Sequence, residues 1–322
     1  MLQYLIKRLT YAVILLLAVL TLNFLLIHIS PGDPVETIAG AMGGMTDELR
    51  QELTQKFGLD KPFIVQLGIY LGKIAQGDLG QSYYFNASVA SLIWERVPAT
   101  LLLVVVSVLL AFFIGTLLGS LAARRPNGML SQVVTMLSIV GYSAPVFWTG
   151  IVLIILFASV WPIFPVSDMR TAGMDDGGLA GVLDVLEHMV LPAFTLAFVY
   201  LAQYSRLARA SMMEALSADY IRTARAKGLP ESVVLYKHAL RNAVLPVVTM
   251  LGMQFGNVLA GAILVETVFN WPGLGRLAFD SVLRRDYPTM LGILFFASMM
   301  VIVMNQLTDL AYRIIDPRIK TS

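Results

Sequence analysis

The sequence predicts an all-α integral membrane protein with six transmembrane helices and both ends of the chain on the cytoplasmic face. Three observations lead there. First, 57% of the 322 residues are hydrophobic and 14% are charged, with a mean hydropathy of +0.74. Soluble domains run at roughly 45–50% apolar and about 25% charged. Second, six segments meet or approach the ~20 apolar residues that a membrane-crossing helix needs. Third, the basic residues are shared unevenly between alternate loops. With six spans drawn, the face holding both ends carries 14 of the 23 basic residues and five of the 21 acidic ones, which leaves nine and sixteen on the other. An excess of Lys and Arg marks the cytoplasmic side, so the total of +2 conceals a positive inner face and a negative outer one. The composition excludes an ordinary soluble globule, a disordered chain and a basic nucleic-acid binder. With no cysteine there is no disulfide framework, iron–sulfur site or thiol nucleophile.

Residues 9–29 carry no formal charge and follow Lys7 and Arg8. The run is longer than the about 7–15 residues of a signal-peptide core, and no small-x-small cleavage pattern follows. It is therefore expected to stay as the first span, ending at Ile29-Ser30-Pro31. In the external loop 30–98, Thr46-Asp47-Glu48 reads as a helix start, with Leu49, Leu53 and Phe57 on one face and Gly58 as the stop. Phe63–Ala75, after Pro62, reads as a second amphipathic stretch. Residues 101–123 form the second span. No Asp, Glu, Lys or Arg occurs from 126 to 167, a run expected to hold one helix over 132–159, kinked at Ser143-Ala144-Pro145. Residues 189–205, 243–265 and 288–307 complete the set, the fifth bent near its start by Leu245-Pro246. The chain thus divides into an N-terminal span (1–30), an external loop (31–98), a five-helix core (99–313) with a cytoplasmic loop at 206–242, and a tail (314–322).

The loop 206–242 is rich in Ala, Leu, Met, Arg and Glu, which are strong helix formers. The run ends at Gly228, a natural residue just past a helix end, where φ must be positive. Pro230 suits the first turn of a new helix and Glu231 its positive end. The loop reads as helix, glycine turn, helix. Ala224 and Ala226 permit close approach of a partner, and the cations suit an acidic or polar partner surface. The alternative is a solvated basic loop that merely follows the charge rule.

Asp219-Tyr220-Ile221-Arg222-Thr223-Ala224-Arg225-Ala226-Lys227-Gly228-Leu229, followed by Lys237-His238-Ala239-Leu240-Arg241-Asn242, resembles the coupling segment of the membrane permeases of binding-protein-dependent ABC importers, in their dipeptide/oligopeptide/nickel group. In the wider family this is the EAA loop. Anchored on Gly228, Arg222-Thr223-Ala224 stand at the Glu-Ala-Ala positions and His238-Ala239-Leu240-Arg241 at Ile-x-Leu-Pro. The chain thus departs from the broad consensus while matching the peptide-importer variant. Leu25 through Pro34, Gly77 through Ser82, Glu95 through Thr100, Glu266 through Leu277 and Asp316-Pro317-Arg318 resemble the same group in order along the chain. The resemblance implies an ABC-importer permease fold in the cytoplasmic (inner) membrane of a bacterium. It implies a second homologous permease, two ABC ATPases that hold ATP and Mg, an extracytoplasmic solute-binding protein, and no cofactor on this chain. It also implies ATPase coupling through Asp219, Tyr220, Arg222–Leu229, His238 and Arg241. The solutes of such importers include short peptides, nickel and glutathione. Consistently, Gly72-Lys73 is followed by Ile74 and lacks the upstream glycine of a phosphate-binding loop, so an ATPase would have to be another chain.

Candidates for the translocation path are Gln254 and Asn257, three apart and hence on one helix face, together with Ser143 and Glu266. Each has a second reading: interhelical hydrogen bonds for Gln254 and Asn257, packing for Ser143, and anchoring of the turn at Trp271-Pro272-Gly273 for Glu266. Gly115 and Gly119, and Gly252 and Gly256, form two Gly-x-x-x-Gly pairs. These suit either tight contacts within the chain or the interface with a second permease. His28, His188 and His238 are not expected to cluster with acids, and no metal or catalytic site is expected. A self-contained channel or secondary transporter would place charges at mid-membrane or show half-helix repeats, and the span centres hold neither. An intramembrane enzyme would need a Ser/His or di-acid site.

Overall fold

The computed structural model describes residues 2–29, 61–82, 84–173 and 178–315, with side chains throughout except at 2–5, 8–9, 27, 252–253, 255–257, 259–260 and 307–315. The helix expected at 46–58 lies outside the described residues. The order is α1 (Leu2–Ile29), α2 (Phe63–Ala75), a hairpin of β1 (Gln81–Ser82) and β2 (Ala87–Ser88), α3 (Val89–Ala123), α4 (Met129–Ser143), α5 (Val146–Ile154), α6 (Gly178–Ser217), α7 (Asp219–Ala226), α8 (Leu240–Val268), α9 (Leu274–Leu283) and α10 (Tyr287–Ile315). The chain is mostly helical, with one short hairpin among the described residues. The two strands pair antiparallel, Gln81 opposite Ser88 and Ser82 opposite Ala87, across a turn whose Asn86 takes a φ of +49°. Asn tolerates that left-handed conformation better than most residues.

By length and composition, α3, α6 and Tyr287–Gln306 of α10 can cross a bilayer. The single helix expected over 132–159 is two. α4 and Val146–Val160 meet at a bend of 110°. Pro145 lacks an N–H and disfavours helix at Ala144, and Ala144 is extended (φ −77°, ψ 130°). A π-helical turn, Ile155–Val160, ends the second piece. The helix holding residues 189–205 is also longer than its apolar stretch. α6 runs 40 residues through Pro192, so the loops before and after it are both shorter than read. α8 continues unbroken through Pro246.

Two compact units emerge, Met1–Pro98 with Gly273–Val303, and Ala99–Pro272 with Met304–Ser322. In the first, α1 meets α2 through Phe24, whose ring lies 5.5 Å from Phe63 and 5.1 Å from Tyr70. His28 joins Gln66 at 3.0 Å. The hairpin is tied to the start of α10, where Ser82 and Thr289 donate their hydroxyls to the Asp286 carboxylate. In the second unit α6 is the axis. It packs against α4, α5 and α8, and α3 lies on it through two glycines. A Cβ built at Gly115 would stand 2.7 Å from the Tyr204 Cβ, and one at Gly119 only 2.2 Å from the Ser205 carbonyl oxygen. The first Gly-x-x-x-Gly pair therefore serves close packing within the chain. Gly252 and Gly256 fall outside the described side chains.

Candidate functional site

The segment singled out from the sequence begins where α6 ends. Ser217 folds its hydroxyl back onto the Glu214 carbonyl (2.7 Å), Ala218 is extended, and α7 starts at Asp219. An acid in the first turn and Arg225 in the last complement the helix dipole. Ile221 and Ala224, three apart, are buried in a small second core with Met212, Ala215, Val234, Leu235 and Ala239. Their burial turns Asp219, Tyr220, Arg222, Thr223, Ala226 and Lys227 outward. Ala224 is thus a residue of the chain's own interior.

α7 closes in a Schellman motif. Gly228 N–H donates to the Arg225 carbonyl (2.9 Å) and Leu229 N–H to that of Ala224 (3.4 Å). Gly228 has φ +74°, the conformation its position predicts. Pro230 precedes the next helix rather than opening it. It is the cap residue, and Glu231 is the first helical one. From Glu231 the chain runs through one α turn and a π-helical turn, Val234–Ala239, straight into α8. His238 is half-buried there and Arg241 is exposed. Arg225 spans the glycine turn to Glu231, with Nη2 to Oε1 at 2.7 Å and Nε to Oε2 at 3.2 Å, a two-pronged charge-assisted pair. That hydrogen bonding holds the Glu231 carboxyl below its ordinary range and the Arg225 guanidinium above its own. The exposed tip from Ala226 to Pro230 is therefore a short, braced protrusion. It presents Lys227 and Leu229 beside a backbone with no side chain at Gly228.

A cleft of about 580 Å³ lies beside this protrusion, between it and the turn joining α3 to α4, with Arg124, Arg125, Arg225 and Glu231 in its walls. Arg209 of α6 fixes the turn, its Nε donating to Ser131 Oγ (2.9 Å) and its Nη2 to the Pro126 carbonyl (3.3 Å). The sequence reading counted Arg124 and Arg125 only as charges. Their adjacency at the end of an apolar helix, followed by Pro126-Asn127-Gly128, was the signal available.

The path candidates separate. Gln254 is buried and donates through Nε2 to Gln203 Oε1 on α6 (2.7 Å), an interhelical hydrogen bond. Gln203, 51 residues away, could not be paired with it from spacing. The Asn257 side chain lies outside the described ones. Ser143 is exposed at the last residue of α4, where the chain bends. Glu266 is wholly buried and accepts a hydrogen bond from Thr100 Oγ1 (2.6 Å). Its own carbonyl accepts the Trp271 N–H (2.8 Å), while the Trp271 indole donates to the Ala99 carbonyl (2.9 Å). Asn270, at φ +55°, donates to Asp168. These bonds favour the turn-anchoring reading of Glu266, and Thr100, 166 positions away, is the partner the sequence did not reveal.

The histidine expectation needs one correction. His188 lies one turn from Asp184 on α6, and Nδ1 stands 3.5 Å from Asp184 Oδ1. Thr171 takes up the same carboxylate with its N–H (2.9 Å) and hydroxyl (2.6 Å), so the acid is engaged in holding a loop. No group of three or more potential metal ligands occurs among the described residues.

Comparison with known proteins covers the whole chain. The family described as "Binding-protein-dependent transport system inner membrane component" matches residues 115–321, and the one described as its N-terminal membrane component matches residues 1–104. The oligopeptide transport system permease protein AppB of Bacillus subtilis is 38% identical over 99% of this chain and 100% of its own length. The dipeptide transport system permease protein DppB of Escherichia coli K12 is 40% identical over 99% of each. A putative peptide permease of Brucella suis is 41% identical over the full length of both.

Proposed function

The chain belongs to the family of inner membrane components of binding-protein-dependent transport systems, and from that premise we propose that it imports di- or oligopeptides as one of two homologous permeases in an ATP-driven complex. The substrate class rests on relatives named for oligopeptide and dipeptide transport that match this chain end to end. The chain is the permease and needs no cofactor of its own. ATP and Mg belong to two separate ATPase subunits, and an extracytoplasmic binding protein delivers the solute.

One structural observation carries the mechanism: the braced, outward tip at Ala226–Pro230, joined to α6 through α7 and Ala218 and to α8 through a continuous helical run. ATP binding closes the ATPases and displaces this tip. α6 and α8 carry the displacement into the second unit's core, and the path changes the face to which it is open. Asp219, Tyr220, Arg222, Thr223, Arg225, Ala226, Lys227, Gly228 and Leu229 form the coupling surface, with His238 and Arg241 behind it. Ala224 supports it from within. In this reading the chain crosses the membrane six times with both ends in the cytoplasm, and α4 with α5 makes one broken span. The basic-residue asymmetry supports that orientation. Gln254 and Asn257 border the path, Gln254 while bonded to Gln203.

Affinity purification of the tagged chain in mild detergent, with the masses of co-eluting subunits, tests the reading. Two ATPase copies and one sister permease are expected. Elution alone, with uptake retained in proteoliposomes without ATP, would overturn it.

A further inference from the structure

We infer that the cleft between the α3–α4 turn and the glycine turn holds the headgroup of an anionic phospholipid. The inference rests on the membrane reading of α3 and α4 and not on the importer reading. The turn joins two apolar helices, so its cations stand at headgroup depth. Long basic side chains reach toward that layer and attract anionic lipid.

Arg225 is committed to Glu231. Arg124 and Arg125 are exposed, and neither forms a direct ion pair among the described residues, although Arg124 lies near enough to Glu231 to help hold its carboxyl below the ordinary range. They leave the cleft with an excess of positive charge over its one acid. The floor is apolar, with Leu121, Leu216 and Leu235. At the mouth stand Met129, 81% exposed, and Leu130, 45%. From there the side of α4 turned away from Ser131, Val134 and Gly141 continues as exposed Val133, Met136, Leu137 and Val140. A phosphate placed between the two arginines thus has an apolar track leading away from it along the helix. An acidic protein segment would use the arginines but would have no use for that track. Because Arg225, Glu231 and Leu235 wall the same cleft, the bound lipid buttresses the glycine turn.

The test is retention of palmitoyl-oleoyl phosphatidylglycerol against the matching phosphatidylethanolamine, read by native mass spectrometry on the purified full chain with whatever subunits accompany it. The wild-type protein should retain the anionic lipid preferentially. Arg124→Gln with Arg125→Gln should lose about fivefold in retention per arginine. Arg124→Lys with Arg125→Lys should keep most of it, which separates charge from misfolding. Lys73→Gln, on α2, should change nothing. Equal retention by the wild type and the double Gln variant would overturn the proposal. So would displacement by millimolar inorganic phosphate, which would mark a site for a free anion. Loss of a co-purifying subunit with lipid retention unchanged would assign the cleft to a protein partner instead.

Discussion

Replacing Gly228 tests the proposed coupling tip at its turn. Its φ is +74°, and a Cβ added there would meet nothing within 4 Å. Any penalty is therefore conformational and owes nothing to crowding. An ordinary L-residue held left-handed costs about 1–2 kcal/mol, and a β-branched one stands at the upper end of the roughly 1–3 kcal/mol range for such strain. At ~1.4 kcal/mol per tenfold, Ala shifts the turn's equilibrium by about fivefold to thirtyfold, and Val by more. Relief requires breaking the two Schellman bonds and releasing Arg225 from Glu231, which loosens the tip without disturbing the buried Ile221 and Ala224. The assay is solute imported per ATP hydrolysed, in proteoliposomes holding the complete complex. Hydrolysis should persist, while the ratio falls in the order Asn, Ala, Val, because Asn tolerates the left-handed region. Wild-type coupling in Gly228→Val would remove the turn from the transmission. Equal losses for Asn and Val would show that the φ requirement is not the cause.

Four further outcomes follow from the same geometry. Gly119→Ala should destabilise the detergent-solubilised protein by about 1–3 kcal/mol, since its methyl would sit 2.2 Å from the Ser205 carbonyl oxygen. Gly72→Ala, in open space on α2, should gain roughly 1 kcal/mol, and thermal unfolding would expose the error if the two behaved alike. Thr100→Val removes a hydrogen bond to buried Glu266 and should cost about 1.5–3 kcal/mol, whereas Thr100→Ser should be close to neutral by the same assay. Glu231 has a lowered pKa, so the Arg225–Glu231 brace is fully present above the ordinary carboxyl value of 4.5 and is lost as pH falls through the lowered one. A spin label on Ala226→Cys, in a chain with no other cysteine, should stay restricted at pH 4.5 and above, become mobile only as the pH falls through the lowered value, and be mobile at every pH when Glu231→Gln is added. Lys227→Glu, at the exposed tip, should weaken retention of the ATPase subunits on an affinity column, and unchanged retention would exclude Lys227 from the interface.

Local chemistry explains why some of this was legible from sequence. A helix end needs a residue that accepts positive φ, so Gly228 announced the turn. The apolar run with one polar face announced α2, whose bounds, Phe63–Ala75, are those read from the sequence. Partners across space left no such trace. Nothing in the spacing joins Thr100 to Glu266 or Gln203 to Gln254, and Gly115 with Gly119 suited a partner chain as well as they suit α6. The bend at Ser143-Ala144-Pro145 was visible as a proline kink. Its size was not, because a missing N–H says where a helix breaks and not how far the next one turns.

The length of α6 bears on what the proposed coupling segment can do. Hydropathy marks only its apolar middle, because its ends are polar and amphipathic. A 40-residue helix nevertheless rises about 60 Å at 1.5 Å per residue, which exceeds the roughly 30 Å hydrocarbon core by a wide margin. It therefore reaches from the loop held by Thr171 and Asp184 at one end to Ala218 at the other. Between those ends α3, α4, α5 and α8 touch it. At Gly115, Gly119 and Gly141 a Cβ would come within 3.2 Å of its backbone, and at Gly150 within 3.3 Å of its Thr195 side chain. Backbones that approach this closely, with no room for a methyl between them, leave little freedom to slide, because packed interfaces hold discrete arrangements. Under the coupling mechanism proposed above, a push on the tip is not absorbed along α6. In that mechanism α6 either moves α3, α4 and α5 with it or leaves all of them in place, the all-or-none response that alternating access requires.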